Sequence, residues 1–272
     1  MNSLPHEETL TCTIETLNSS DERVVRDDIV AIEAPLELRV EGRPGTILMR
    51  TPGHDESLIR GFLFTEGIID RAEDILEMTR PDDLPPEQAG NVITVRLAKK
   101  QRLSRLDRSN ISSASCGACG KTSFDALEIR TSPLTSGLQV RRNVILTLPD
   151  RLKPVQETFR STGGVHASGL FSPEGELIAF REDVGRHNAL DKLIGWALTN
   201  HRIPLDDHIL LLSGRISFEL VQKATMASIP VIAAVGAPSS LAIDIARQFN
   251  MTLAGFLRPH SMNVYTHPHR IL

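Results

Sequence analysis

The chain has 272 residues, 40% hydrophobic and 24% charged, with a formal net charge of −4. That length holds one large or two small domains with a core that needs no covalent staples, and the acidic balance argues against a dedicated nucleic-acid binder. Three cysteines leave one over in any disulfide scheme and suit a reducing compartment, where thiols act as metal ligands or reactive groups.

The opening MNSLPHEETL has neither a basic start nor an apolar run, so no secretory signal is expected. Residues 1–22 read as a mobile polar tail. Val24 to Val40 reads as one or two strands and Thr46–Met49 as another. His54–Ile69 carries Leu58, Ile59, Phe62 and Leu63 at helical spacing, with Asp55 as the expected cap. Pro81–Gly90 is a loop, and Val92, Ile93, Val95 and Leu97 mark a strand. These elements make 23–135 an α+β portion that ends in a long connection, 98–122. The connection is first basic (Lys99, Lys100, Arg102, Arg105, Arg108), then small and polar. Loops of this length inside compact domains are functional or disordered.

From 136 to 272 the pattern becomes α/β. Val144–Leu148 reads as a strand and Pro149–Arg160 as a helix. A hairpin turns at Phe171-Ser-Pro-Glu-Gly175. It is followed by helix 186–200, strand 208–212, helix 216–228, strand 230–235, helix 239–249 and strand 251–256. Strands alternating with helices of this length predict a sheet with parallel neighbours and crossover helices. The longest apolar runs, Ile209–Leu212 and Val231–Val235, fall far short of the roughly 20 residues that span a bilayer. A soluble cytoplasmic protein is expected.

The segment Ser115-Cys116-Gly117-Ala118-Cys119-Gly120-Lys121 closes the long connection. Two thiols three positions apart can approach each other, and the glycines let the backbone turn tightly. Unpaired N–H groups and Lys121 would favour the thiolate that attacks a disulfide or persulfide sulfur. Half of a zinc site, a thioredoxin-like redox pair and cysteines without chemistry are the competing readings. There is no second cysteine pair to complete a zinc site, so no metal is expected.

Several motifs follow strands directly: Asp183-Val-Gly185-Arg186-His187-Asn188, Ser213-Gly214-Arg215, Gly236-Ala-Pro238-Ser239-Ser240 and Gly255-Phe256-Leu257-Arg258-Pro259-His260. In open α/β sheets the crevice at the carboxyl ends of strands holds ligands, and helix N-termini there offer free N–H groups to anions. Arg186, Arg215 and Arg258 would add charge-assisted contacts to phosphate. The four motifs together point to an anionic, nucleotide-like ligand, although each alone reads as well as a turn glycine or helix cap. His166, in Thr162-Gly163-Gly164-Val165-His166, is equally a pocket residue or a satisfied core histidine, and no H-x-E zinc-deaminase motif follows it. His267 and His269 read as a solvated terminus.

Cys116-Gly-Ala-Cys119-Gly-Lys121, Thr162-Gly-Gly-Val-His166, the string from Arg181 to Lys192, Ser213-Gly-Arg215, Ala237-Pro-Ser-Ser-Leu-Ala242 and Gly255-Phe256 occur in this order. Together they closely resemble the FdhD family, the sulfurtransferases required for formate dehydrogenase activity, over roughly Arg26 to Tyr265. The resemblance implies a cytidine-deaminase-like α/β/α main domain with a mixed sheet, without the deaminase zinc, beside the smaller N-terminal α+β portion. It implies sulfur accepted from a cysteine desulfurase as a persulfide on Cys116, with Cys119 in a supporting role. The sulfur would pass to the Mo-bis(molybdopterin guanine dinucleotide) cofactor before that cofactor enters the formate dehydrogenase catalytic subunit. The family's cofactor segment maps onto Gly255, Phe256, Leu257, Arg258, Pro259 and His260, and a homodimer is expected. A non-catalytic cofactor-binding chaperone and a thiol–disulfide protein are the alternatives from other classes.

Overall fold

The computed structural model describes residues 7–19, 23–41, 43–86, 88–99, 103 and 132–272. The chain opens with β1 (Thr9–Leu17) and β2 (Arg23–Ala31), an antiparallel two-stranded ribbon. The tail expected over 1–22 thus contains a strand; its threonine-rich alternation is β-forming, but its partner lies downstream. A four-stranded sheet follows, in the order β4-β3-β6-β5, from β3 (Ala34–Val40), β4 (Arg43–Arg50), β5 (Ile75–Thr79) and β6 (Val92–Leu97). Leu36, Leu38 and Val40 alternate inward along β3, as a sheet with one buried face requires.

Helix α1 (Asp55–Thr65) lies where the periodicity predicts it. Asp55 is its first residue rather than its cap. The capping position belongs to His54, at φ 55°, with no side-chain hydrogen bond to the helix. Asp55 instead accepts from Arg50 Nε at 2.9 Å and Arg80 Nη2 at 2.9 Å, tying the helix start to β4 and the loop after β5.

The second half holds α2 (Arg142–Leu152), α3 (Glu157–Thr162), β7 (His166–Phe171), β8 (Leu177–Asp183), α4 (Arg186–Thr199), β9 (Ile209–Leu212), α5 (Phe218–Met226), β10 (Val231–Ala234), α6 (Ser240–Gln248), β11 (Thr252–Arg258) and β12 (Ser261–Thr266). The expected strand at Val144–Leu148 is part of α2. The buried residues are Val144, Ile145, Leu148 and Leu152, a helical stripe that a five-residue window of apolar residues cannot distinguish from a strand. Pro149, expected to open a helix, sits in the last turn of α2.

The main sheet is mixed, in the order β12-β11-β10-β9-β7-β8. β9, β10 and β11 are parallel, while β7, β8 and β12 run antiparallel to their neighbours. One face packs against α2 through Phe171, Leu211, Val231 and Ala233. The other face presents Leu170, Leu210, Leu212 and Ile232 to α4, α5 and α6, and the same apolar cluster runs through α1 into the four-stranded sheet. The two portions therefore share one core. Among the described residues no helix is long and apolar enough to cross a membrane.

α1 and α4 pack backbone against backbone. A Cβ on Gly61 would lie 1.9 Å from the carbonyl oxygen of Asp191, and one on Gly195 would lie 1.8 Å from that of Ser57. Beside this crossing Lys223 Nζ meets Asp191 Oδ2 at 2.8 Å and donates to Thr65 Oγ1 at 2.9 Å, so one buried polar cluster joins α1, α4 and α5.

Candidate functional site

Strand order decides what gathers at the carboxyl ends of β9, β10 and β11. β7 is antiparallel to β9, with Ser168 opposite Leu212, and to β8, with His166 opposite Asp183. The start of β7 and the end of β8 therefore join the same rim as the three parallel strand ends. Backbone bonding continues beyond the strands. Ser213 N donates to Ala167 O at 3.0 Å while Ser213 Oγ accepts from Ala167 N at 2.9 Å. Gly236 N donates to Gly214 O at 3.1 Å, and Phe256 N to Gly236 O at 3.0 Å.

This stitching explains the glycines. A Cβ at Gly236 would stand 2.7 Å from Gly214 O and 2.8 Å from Arg215 N, so only glycine lets the two loops touch. A Cβ at Gly214 would meet the His166 ring at 3.3 Å, and one at Gly255 would meet Gly236 O and Pro238 Cδ at 3.1 Å. Phe256, next in the chain, has φ 53° and is 41% exposed. A bulky residue in the left-handed region costs about 1–2 kcal/mol, and such strain concentrates at ligand sites.

The other predicted residues divide by burial. Leu257 is 2% exposed, with its side chain in the core cluster that faces α2, so only its backbone reaches the rim. Arg258 is exposed and bends back, its Nη1 donating to Val235 O at 3.0 Å and Leu257 O at 2.7 Å. Pro259 and His260 are exposed between β11 and β12, and Arg215 is exposed after Gly214. Arg186 is half-buried at the start of α4, and its buried Nε has no hydrogen-bond partner among the described residues.

The loop before α4 is pinned from below. Asp183 accepts from Thr51 N at 3.1 Å, Gly185 N at 2.8 Å and Asn188 Nδ2 at 3.0 Å, and its Oδ2 lies 2.8 Å from Lys192 Nζ. Above it, burial, with the charges of Arg186 and His187, holds His166 below the ordinary imidazole range. His166 is therefore a neutral donor–acceptor at neutral pH. Burial pushes the Glu219 carboxyl upward, but hydrogen bonds from His187, Ser217 and its own backbone N–H outweigh it and hold Glu219 down at about 2. His187 Nε2 is 3.3 Å from Ser217 Oγ and 3.7 Å from Glu219 Oε2. Sequence reasoning missed Ser217 and Glu219. Their only local signal is the Ser-x-Glu at the start of a helix, a common N-terminal pattern.

Cys116, Cys119 and Lys121 lie outside the described residues, as does the basic run from Lys99 to Arg108 apart from Lys99 and Leu103. The rim offers neutral imidazole, backbone N–H groups at helix starts, guanidinium groups and an exposed aromatic ring. That set fits a phosphate-bearing, base-bearing ligand.

The family model described as FdhD/NarQ matches residues 31–272. Curated relatives carry the name sulfur carrier protein FdhD. The one from Nocardia farcinica is 45% identical over 250 residues, 90% of this chain and 89% of its own. That from Streptomyces avermitilis is 47% identical over 253 residues, 90% of each chain, and that from Sulfurisphaera tokodaii 43% over 256 residues, 93% of this chain and 95% of its own. A crystal structure from Desulfotalea psychrophila, assigned as a formate dehydrogenase accessory protein, superposes with a TM-score of 0.77 at 27% identity, covering 98% of this chain and 100% of that one.

Proposed function

The chain belongs to the FdhD/NarQ family, and on that premise we propose that it is a sulfur carrier for formate dehydrogenase maturation. In this reading Cys116 thiolate attacks the persulfide of a cysteine desulfurase and becomes a persulfide itself, with Cys119 assisting. The sulfur passes to the Mo-bis(molybdopterin guanine dinucleotide) cofactor, which enters the formate dehydrogenase catalytic subunit afterwards. The cofactor's guanine nucleotide lies across the rim, its phosphates meeting Arg186, Arg215 or Arg258 and the N–H groups after Ser213 and Gly214, and its base meeting Phe256.

The observation that carries the acceptor site is the run of rim glycines ending in a strained, exposed phenylalanine. Gly214, Gly236 and Gly255 bring two loops and β11 into close contact, and Phe256 holds a left-handed conformation while remaining exposed. Folding alone gives no reason to keep an aromatic residue there. The sulfur itself is supported by the names of the relatives and by the cysteine pair. The same proposal includes a cytidine-deaminase-like α/β/α core without zinc, consistent with a mixed sheet covered on both faces, together with a homodimer working in the cytoplasm.

Two measurements test it. After incubation with a desulfurase and cysteine, mass spectrometry is expected to find one added sulfur, about 32 Da, on Cys116 and none in Cys116→Ala. Full formate dehydrogenase maturation by Cys116→Ala would refute transfer and leave a binding chaperone. Calorimetry is expected to show GDP binding with ADP much weaker; equal or absent binding of both would refute the nucleotide site.

A further inference from the structure

From Ala189 to Leu198 every residue of α4 is buried except Trp196, the single tryptophan of the chain. At 1.5 Å per residue it stands about 15 Å along the helix from the rim where α4 begins. Two guanidinium groups attend its ring. Cζ of Arg181, on β8 at the edge of the main sheet, lies 5.9 Å from the ring centroid, and Cζ of Arg202, just after the helix, lies 5.5 Å from it. Ile178 and Ile203, both half-buried, pack on the same apolar cluster as Trp196. The ring face attracts both cations, but it offers their N–H groups no lone pair. Arg181 is half-buried. Its buried Nε has no hydrogen-bond partner among the described residues, and its Nη1 donates to Phe180 O at 2.6 Å. Burial lowers its pKa, and no carboxylate opposes that shift. The adjacent Glu182 turns instead to α3, where it accepts from Thr158 N at 3.2 Å and Phe159 N at 2.9 Å. Arg202 is exposed, and its guanidinium has neither an ion pair nor a hydrogen bond among the described residues.

We propose that Arg181, Trp196 and Arg202 form a docking site for an acidic segment of a partner protein, an apolar side chain flanked by carboxylates. The charges call for the acids. A partly buried guanidinium is costly until an anion meets it, and a carboxylate matches a guanidinium with two parallel N–H···O bonds. The apolar side chain follows from Trp196, Ile178 and Ile203, which give it a surface to be buried against. Tryptophan and arginine are also the residue types that carry most binding energy at protein interfaces. A nucleic acid fits less well, because the net charge of −4 repels a polyanion from the rest of the surface. The site uses no residue of the rim, so a partner held here leaves the strand ends open. The inference goes beyond the sulfur-carrier reading and stands without it.

With one tryptophan in the chain, intrinsic fluorescence reads this site directly. The full chain is titrated with the acetylated, amidated peptide Glu-Glu-Leu-Glu-Glu, and with Gln-Gln-Leu-Gln-Gln at matched ionic strength. The acidic peptide is expected to move the emission saturably to shorter wavelength, while the neutral one leaves it in place. Raising salt from about 0.02 M to about 0.5 M is expected to weaken the binding, since exposed charges are then screened. Arg202→Gln, at an exposed position, is expected to keep the wild-type melting temperature and to weaken binding about fivefold, the upper end for one exposed charge pair. Adding Arg181→Gln is expected to remove what remains. No shift up to about 10 mM acidic peptide overturns the proposal, and so does unchanged affinity in Arg202→Gln. An equal response to the neutral peptide overturns it by showing an apolar patch without charge recognition. A stronger response to a single-stranded oligonucleotide than to the peptide overturns it in favour of nucleic acid. A changed sedimentation coefficient in Arg202→Gln overturns it by assigning the face to a second copy of the chain.

Discussion

Gly61→Ala reverses the ordinary sign of a helical substitution. In an exposed helix, alanine is favoured over glycine by about 1 kcal/mol. Here the added carbon would stand 1.9 Å from the Asp191 carbonyl oxygen, against 3.4 Å or more for an ordinary contact. The obstacle is backbone, so no side chain can swing aside, and α1 and α4 must part by about 1.5 Å. A gap of 0.5–1 Å already forfeits roughly a quarter to a half of each dispersion contact. The loss falls on Leu58, Phe62 and Leu63 facing Leu190, Leu193 and Ile194 in the shared core. Overpacking costs about 1–3 kcal/mol and occasionally more; with a backbone obstacle and a lengthened interface, about 3 kcal/mol is expected. For a chain of this size that lowers the melting temperature by about 6–12 °C. Urea unfolding followed by circular dichroism, with thermal melts, measures it. Because α4 also carries Arg186, GDP affinity is expected to fall in the same variant. A Gly61→Ala chain as stable as the wild type, or more stable, refutes the close-packed crossing.

The buried cluster is tested by a double-mutant cycle. Asp191→Leu leaves Lys223 without its nearest carboxylate and is expected to cost about 3–5 kcal/mol in urea unfolding, most of it recovered when Lys223→Met is added; a double variant as unstable as the single one would contradict this. Glu219 is held at about 2 against an ordinary 4.5. A depressed carboxylate stabilises the fold above pH 4.5 and loses that contribution as pH falls toward 2. The wild type should therefore lose about 3 kcal/mol relative to Glu219→Gln across that window, and parallel stability curves would rule out the His187–Glu219 contact. Phe256→Gly should leave stability within about 1 kcal/mol, since relief of the left-handed strain offsets the entropy of glycine. The same variant should weaken GDP binding about 5- to 150-fold if the ring stacks on the base, which calorimetry reads; unchanged affinity would free Phe256 from that role.

The run from α4 through β9, α5, β10 and α6 to β11 was legible in the sequence, because each element's apolar pattern is complete within its own residues. So was the close approach at Gly214 and Gly236, because a glycine just after a strand reports such a contact wherever the partner lies, whereas Gly255 and Phe256, expected to follow the strand, lie inside β11. Val144–Leu148 is helical because a core lies along one side of it. β1, β5 and β12 each pair with the strand next to them in the chain, but they are largely exposed and carry no clean apolar alternation to mark them. What only the tertiary structure decided is adjacency. Placing β7 antiparallel between β8 and β9 carries His166 and Asp183 to the same rim as Gly214 and Gly236. Setting the start of α4 beside the start of α5 brings His187 to Glu219, 32 residues apart in the chain. No local pattern encodes such a pair, because the carboxylate and the imidazole each look like an ordinary first-turn residue until the core packs the two helices together.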